Sequence, residues 1–366
     1  MSDAPEALSI DQALKLASSD GFVRSEKYLS VLEVLEDHEC WSAWFQAVSS
    51  HIKLQAETSL DDYLRMISVN IFYLEDVDTA SVVSKDLVRS KKMSYADFRS
   101  LVLDKILESE QYKTESLLLK GVWDVFSQRE DQISAVERLC FIFEKKAHNE
   151  KLLHQFYEKL RKIHPENAKA LRYFRNLYSQ SQDWPAVIDV LKKLLASAKH
   201  KQEIFRYAQE LAAVYLYQLG DCHEAIRYIE EYCSGSTLDT STIHYEAYYR
   251  LGNLDGCLRV LRGALLVVED QNTRAIVHFR IAAIYEQLGQ SQLAYENFQK
   301  TLELNDEFIE AIEGLISNAI KLKSWIVVRD WLNVLAGRTR SQNLISQLRA
   351  GIQRLEEGLA NANPSR

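Results

Sequence analysis

The sequence predicts an all-α fold built of stacked helix pairs, and three observations carry that prediction. Helix breakers are scarce, with 4 prolines and 12 glycines in 366 residues, while the helix formers Leu, Ala, Glu, Lys and Gln are plentiful. Apolar residues recur at i, i+3, i+4 and i+7 in one segment after another, as a helix with one buried face requires. The second half of the chain also repeats itself at an interval of roughly 34 residues, and self-similarity at such a period marks a helical array.

The first helix is signposted by Ser9 with Gln12 three residues on; at this spacing each side chain satisfies the other end's free backbone N–H. Five amphipathic runs follow without a clean period: SEKYLSVLEVLEDHE, WSAWFQAVSSHIKL, DDYLRMISVNIFYLEDV, SYADFRSLVLDKILES and TESLLLKGVWDVFSQ. Connections such as QAETS and VRSKKM are short and polar, and none reads as an interdomain linker. Residues 1–133 are therefore expected to form a helical region, either degenerate repeats or a separate helical domain.

Beyond it the period sharpens. Gly220, Gly252 and Gly289 stand 32 and 37 residues apart, each between two helical patterns. SQDWPAVIDVLKKLL resembles LKSWIVVRDWLNVLA: Trp184 and Trp325 each open a second helix, three residues before Val187 and Val328. A single helix pair cannot bury its apolar face alone, so neighbours stack to do it. Upstream, Pro165 would close a pair whose second helix is HNEKLLHQFYEKLRKIH, while the opposite phase, TESLLLKGVWDVF with ISAVERLCFIFEKK, fits nearly as well. The array is expected over 134–338, a capping helix over 339–361 and a frayed tail over 362–366.

The stretch IAAIYEQLGQSQLAYENF resembles a tetratricopeptide repeat, whose pattern asks for an aromatic, Leu-Gly, Tyr, Ala, Phe and Pro at fixed spacings. The corresponding positions hold His278, Ile281, Ala282, Tyr285, Ala294, Phe298 and Asp306, of which His278 and Asp306 depart from the pattern. Ile281 and Tyr285 share one helical face, and Ala282 and Ala294 are small where two helices approach. Gly289 supplies a left-handed turn. Weaker copies place Tyr178, Val187 and Leu191 with Arg175 at the small position, then Leu211, Ala212, Tyr215, Ala225 and Ile229 with one extra residue before Gly220. A degenerate copy has His244 and Tyr245 at the Leu-Gly positions, and another keeps Leu315, Val328 and Leu332.

The resemblance implies a right-handed α-solenoid whose first helices line a concave groove, and a non-catalytic scaffold or adaptor that binds other proteins there. The groove positions would hold Lys169, Arg172, Asn176, Ser179 and Gln180, then Arg206, Gln209, Ala213 and Tyr217. Farther along stand Glu246, Phe279, Glu286, Gln287, Glu310 and Glu313, so the groove would run from basic to acidic. Its basic end would receive an acidic part of the partner. Arg172 and Asn176 are similar to half of the family's carboxylate clamp, but Glu210 stands where the clamp wants another asparagine.

Charge and motifs limit the alternatives. Net charge is −8, with 15 Lys+Arg against 25 Asp+Glu in residues 1–140, 14 against 7 in 141–206 and 15 against 20 in 207–366. The basic segment 141–206 permits an RNA-binding reading, against which the acidic whole weighs. No GxGxxG, GxxxxGK[ST] or GxSxG occurs, and His148 and His154 are six apart rather than four, so neither catalysis nor a metal or other cofactor is expected. LEDVD (Glu75, Asp76, Asp78) reads as a helix end. WSAWF and YEAYY read as core, with Tyr217 and Tyr249 turned toward the inner surface. Five scattered cysteines without CxxC, no leader-like start and no long apolar run suggest a cytoplasmic protein.

Overall fold

A computed structural model describes residues 8–19, 28–54, 59–106, 111–233, 238–338 and 342–362, and among them every regular element is helical. The chain divides into two compact units, Met1–Tyr173 and Phe174–Arg366.

The first unit opens with α1 (Ile10–Ala17), α2 (Tyr28–Asp37), α3 (Trp41–Leu54), α4 (Leu60–Phe72) and α5 (Val77–Lys91). Next, α6 (Tyr95–Phe98) runs through a π-helical stretch, Arg99–Leu103, into α7 (Asp104–Ile106), followed by α8 (Tyr112–Val122), α9 (Arg129–Lys145) and α10 (Glu150–Ile163). The division point falls inside α11 (Ala168–Gln180). Ser9 and Gln12 form the expected capping box on α1.

One helix of this unit is absent from the sequence reading. α5 contains the first four residues of VRSKKM, expected as a connection, so only Lys92 and Met93 link it to the next cap, Ser94. Its buried side consists of Ala80, Val83, Ser84, Leu87 and Val88. Small and polar members of that face mute the apolar period, yet α5 packs against both α4 and α8. Of QAETS only Ser59 is described, and it caps α4 through the Asp62 N–H at 3.1 Å. The choice of phase before Pro165 falls to the α9–α10 pair: these helices pack together, and Arg129 Nε donates to the Ile163 carbonyl at 2.8 Å. α8 lies chiefly on α5.

The second unit continues α11 and adds α12 (Trp184–Ser197), then α13 (Lys201–Ala213), which passes into a π-helical stretch, Val214–Leu219. α14 (Cys222–Tyr232), α15 (Leu238–Arg250), α16 (Leu254–Val267), α17 (Gln271–Gln287) and α18 (Ser291–Leu304) follow. α19 (Ile309–Lys321), α20 (Trp325–Arg338) and α21 (Gln342–Ala362) complete it. Each helix from α12 to α21 packs on its neighbour in sequence, so the unit is a stack of successive helices joined in pairs.

Its turns share one geometry. Gly220, Gly252 and Gly289 have φ of 71°, 69° and 72°, and Gln182 and Lys323 adopt the same left-handed conformation at 58° and 56°. The next residue donates its N–H five residues back: Asp183 to Tyr178, Asn253 to Tyr248, Gln290 to Tyr285 and Ser324 to Ala319, all at 2.9 Å. This bond satisfies a carbonyl that the helix end leaves free. At Gly220 the bond reaches six residues back, from Asp221 to Tyr215 at 2.8 Å. The π-helical stretch thus absorbs the extra residue counted in the sequence.

The repeat residues lie in the core. Ile281, Ala282, Tyr285, Ala294 and Phe298 are buried together in one cluster, and Val187 and Val328, three residues into α12 and α20, are each buried on their own helix. A fully buried side chain such as Phe298 contributes roughly 1.5–3 kcal/mol. The degenerate copy is a complete pair: His244 stacks on Tyr248 at 4.9 Å, and Tyr248 covers Gly256 of α16.

Candidate protein-interaction surface

The first helices of the second unit are tied side by side near their C-terminal ends. Arg250 Nη1 donates to the Leu216 carbonyl at 3.0 Å and Nε to Glu246 at 2.8 Å, with the guanidinium 5.6 Å from the Tyr217 ring centre. Gln287 Nε2 donates to the Tyr249 hydroxyl at 3.3 Å. Glu286 accepts from Ser317 Oγ at 2.9 Å, Asn318 Nδ2 at 3.2 Å and Lys321 Nζ at 2.7 Å. Burial works against the charged form of Glu286, yet the bonds from Lys321 and Ser317 hold its carboxyl below the usual range. Arg175 Nη1 bonds both oxygens of Glu210 at 3.0 Å.

These links leave two aromatic rings presented outward. Tyr217, in the π-helical stretch, is 48% exposed, and Tyr249, near the end of α15, is 43% exposed. Both were assigned to the inner surface by register. WSAWF is mainly structural: Trp44 is buried, and Trp41 stacks on Tyr73 at 4.2 Å.

The other expected groove residues have varied surroundings. Arg206 is exposed on α13, its Nη2 3.1 Å from the Tyr207 hydroxyl; Gln209 is half-buried on the same helix. Asn176 and Gln180 are exposed on α11, and the Asn176 oxygen accepts from Arg175 Nη2 at 2.8 Å. Phe279 is half-buried, stacked on Phe308 at 4.9 Å and edge-on to Phe298 at 5.5 Å, within the core. In the first unit, Lys169 is exposed and ion-paired with Glu137, which also accepts from Asn167 Nδ2 at 2.8 Å; Arg172 is exposed on α11. Glu210, the residue at odds with a clamp, is engaged by Arg175.

Sequence reasoning missed the ties between first helices. The signal lies in partners about one repeat apart: Arg175 and Glu210, Glu286 and Lys321, Arg250 and Leu216. Arg175, a misfit at a small position, is instead a bridge.

The basic segment is less free than its count suggests. Lys159 lies 4.7 Å from the Trp123 ring and 4.3 Å from Phe156, and burial lowers the pKa of its amine. Lys146 faces Tyr112 at 4.7 Å. Arg161 pairs with Glu158 at 3.0 Å, and Lys193 with Asp189 at 2.7 Å. Such pairs spread charge over a helical surface instead of lining a phosphate track. His148 is a left-handed residue following α9, whereas His154 lies on α10, 3.3 Å from the Tyr173 hydroxyl. Asp76 caps α5 by accepting from the Thr79 N–H at 3.0 Å. Among the described residues no group of three His, Cys, Asp or Glu side chains is placed to hold a metal.

No family model and no curated protein sequence matches the chain. Solved structures do. A MamA structure from Desulfovibrio magneticus is 16% identical over 48% of this chain and 96% of that one, with a TM-score of 0.37. A tetratricopeptide repeat protein from Parabacteroides merdae is 14% identical over 74% of this chain and 99% of that one, with a TM-score of 0.33. A signal-transduction ATPase with a tetratricopeptide repeat sensor from Pyrococcus horikoshii is 13% identical over 97% of this chain and 62% of that one, with a TM-score of 0.35. No described helix is long and apolar enough to cross a membrane.

Proposed function

We propose that the chain is a non-catalytic, cytoplasmic scaffold, and that the array over 134–338 binds a segment of another protein on its first helices. The observation that carries this reading is the pair of outward rings, Tyr217 and Tyr249, mounted on helix ends locked by Arg250 and Gln287. A rigid aromatic offers large contact area at a small entropy cost. Arg206, exposed on the preceding face of α13, would take an acidic part of the segment. Lys169 and Arg172 would do the same in the first unit.

The test is titration of a partner recovered by affinity purification from the native cell. Tyr249→Ala is expected to weaken binding by about tenfold, as a buried aromatic contact does. Arg206→Glu should weaken it severalfold at low salt and less at high salt. Lys169→Glu should act more weakly, because Glu137 already neutralises that ammonium. Unchanged affinity at low salt for both Tyr249→Ala and Arg206→Glu would remove the surface from the function.

A further inference from the structure

The first unit presents an aromatic ledge where α2 turns into α3 and α4 turns into α5. The two turns share one conformation: Glu39 and Glu75 take left-handed φ of 54° and 52°, and the N–H after each returns to the preceding helix, Cys40 to the Leu35 carbonyl at 2.7 Å and Asp76 to the Asn70 carbonyl at 2.8 Å. The Trp41 ring, at the start of α3, stacks at 4.2 Å and 24° on Tyr73, just past the end of α4. Arg65 Nη2 of α4 bonds both carboxylate oxygens of Glu36 on α2. The two turns therefore lie side by side. Trp41 is half-buried in this stack, whereas Tyr73 and its neighbour Phe72 stay 57% and 44% exposed. Trp41 thus covers one face of the Tyr73 ring and leaves the remainder open to a partner.

Charge around the ledge has one sign. Asp37, Glu39, Glu75 and Asp78 are all exposed at these turns, while Asp76 is engaged as the α5 cap by the Thr79 N–H and hydroxyl at 3.0 and 2.6 Å. Among the described residues 33–41 and 66–80 there is no Lys or Arg. Arg65 is held by Glu36, and the bases of α5 stand in its second half, where Lys85 pairs with Asp124 at 3.5 Å. A two-fold contact with a second copy would set the same carboxylates against one another, and nucleic acid or an anionic lipid surface would be repelled. An open tyrosine face flanked by carboxylates fits a guanidinium, which stacks flat on an aromatic ring while its N–H fork pairs with carboxylate oxygens. A lysine ammonium has no plane to stack and offers only its charge.

We propose that this ledge docks an arginine-bearing basic segment of another protein, with a guanidinium stacked on Tyr73 and its N–H groups paired with Glu39 and Glu75. Asp37 and Asp78, flanking them, would favour further positive charge on either side of that arginine. The proposal uses none of the groove residues and does not rest on the groove reading.

Fluorescence anisotropy with the full chain and three labelled synthetic peptides tests it. One peptide alternates Arg with Gly and Ser, the second carries Lys in place of Arg, and the third carries Glu. The Arg peptide is expected to bind about threefold more tightly than the Lys peptide and about tenfold more tightly than the Glu peptide. Glu39→Gln combined with Glu75→Gln should weaken Arg-peptide binding about fivefold at low salt, with unchanged circular dichroism because both side chains are exposed. Tyr73→Ala should weaken it about threefold and abolish the preference for Arg over Lys, whereas Tyr73→Phe, which keeps the ring and its stack on Trp41, should retain both. Glu303→Gln combined with Glu307→Gln, exposed acids of the second unit, should leave binding unchanged. Equal binding of the Arg and Lys peptides overturns the proposal, as does an Arg preference that survives Tyr73→Ala. A loss in the Glu303 and Glu307 variant as large as that in the Glu39 and Glu75 variant also overturns it, by reducing the effect to general attraction toward an acidic chain. Sedimentation supplies the remaining outcome: a dimer of the wild-type chain that the Glu39 and Glu75 changes disperse would assign the ledge to a basic face of a second copy and overturn the proposal.

Discussion

At Gly256 and Gly314 a hydrogen stands where the neighbouring helix leaves room for nothing larger. A Cβ at Gly256 would lie 2.6 Å from Tyr248 Cδ1, and one at Gly314 2.5 Å from Phe298 Cζ. Both rings are buried in the same core cluster, so Gly256→Ala and Gly314→Ala should each cost about 1–3 kcal/mol through overpacking. Gly263, also in α16, has nothing within 4 Å of its would-be Cβ; Gly263→Ala should stabilise by about 0.5–1 kcal/mol through helix propensity. Calorimetric melting of the three variants checks both signs. Histidines add a pH response. Asn297 Nδ2 donates to the Leu293 carbonyl at 2.9 Å, which turns its oxygen toward His278 Nδ1 at 3.1 Å, so that nitrogen carries the proton. Burial lowers the His278 pKa from 6.5, and does the same for His244, whose Nε2 lies 3.5 Å from Glu230 without a hydrogen bond. The unfolded chain then binds more protons as pH falls through 6.5, so stability declines in that direction. Melting temperature should drop between pH 7.5 and 5.5, and by less in His278→Gln.

Turns show which part of an element is legible in sequence and which is not. Gly220, Gly252 and Gly289 announced three reversals because only glycine takes positive φ without strain. The same conformation at Glu39, Glu75, Lys92, His148, Gln182 and Lys323 left no such mark; the fixed ends of two packed helices impose it there. α5 escaped notice because Ala80 and Ser84 sit among its buried positions, whereas the α17–α18 pair was plain from Ile281, Tyr285 and Phe298. At the candidate surface, register alone turns Tyr217 and Tyr249 toward the inner surface, and both rings are exposed. It could not reveal that Arg175 spans to Glu210 or that Phe279 folds against Phe308, since long side chains choose partners in three dimensions. The extra residue before Gly220 was countable, and its consequence is the π-helical stretch Val214–Leu219. Deleting exposed Gln218 should therefore restore the four-residue interval of Tyr285 to Gly289 and leave the melting temperature equal or higher. Deleting Gln287 from regular α17 would instead rotate its turn by about 100° and lower melting sharply.

At the scale of the whole molecule, stability passes from neighbour to neighbour along the second unit, because each helix from α12 onward packs on the next in sequence. In such a stack the free energy is close to a sum of local terms and nearest-neighbour interfaces. α20 lies between α19 and α21, with Val328 and Leu335 buried on it and Ile352 buried on α21. Removing Gln342–Ala362 uncovers one side of α20 while leaving α13 through α16 with all their neighbours. Amide hydrogen exchange should then accelerate strongly in α20, modestly in α19, and not at all in α13–α16. Acceleration spread evenly over the unit would mean instead that it opens as one cooperative body.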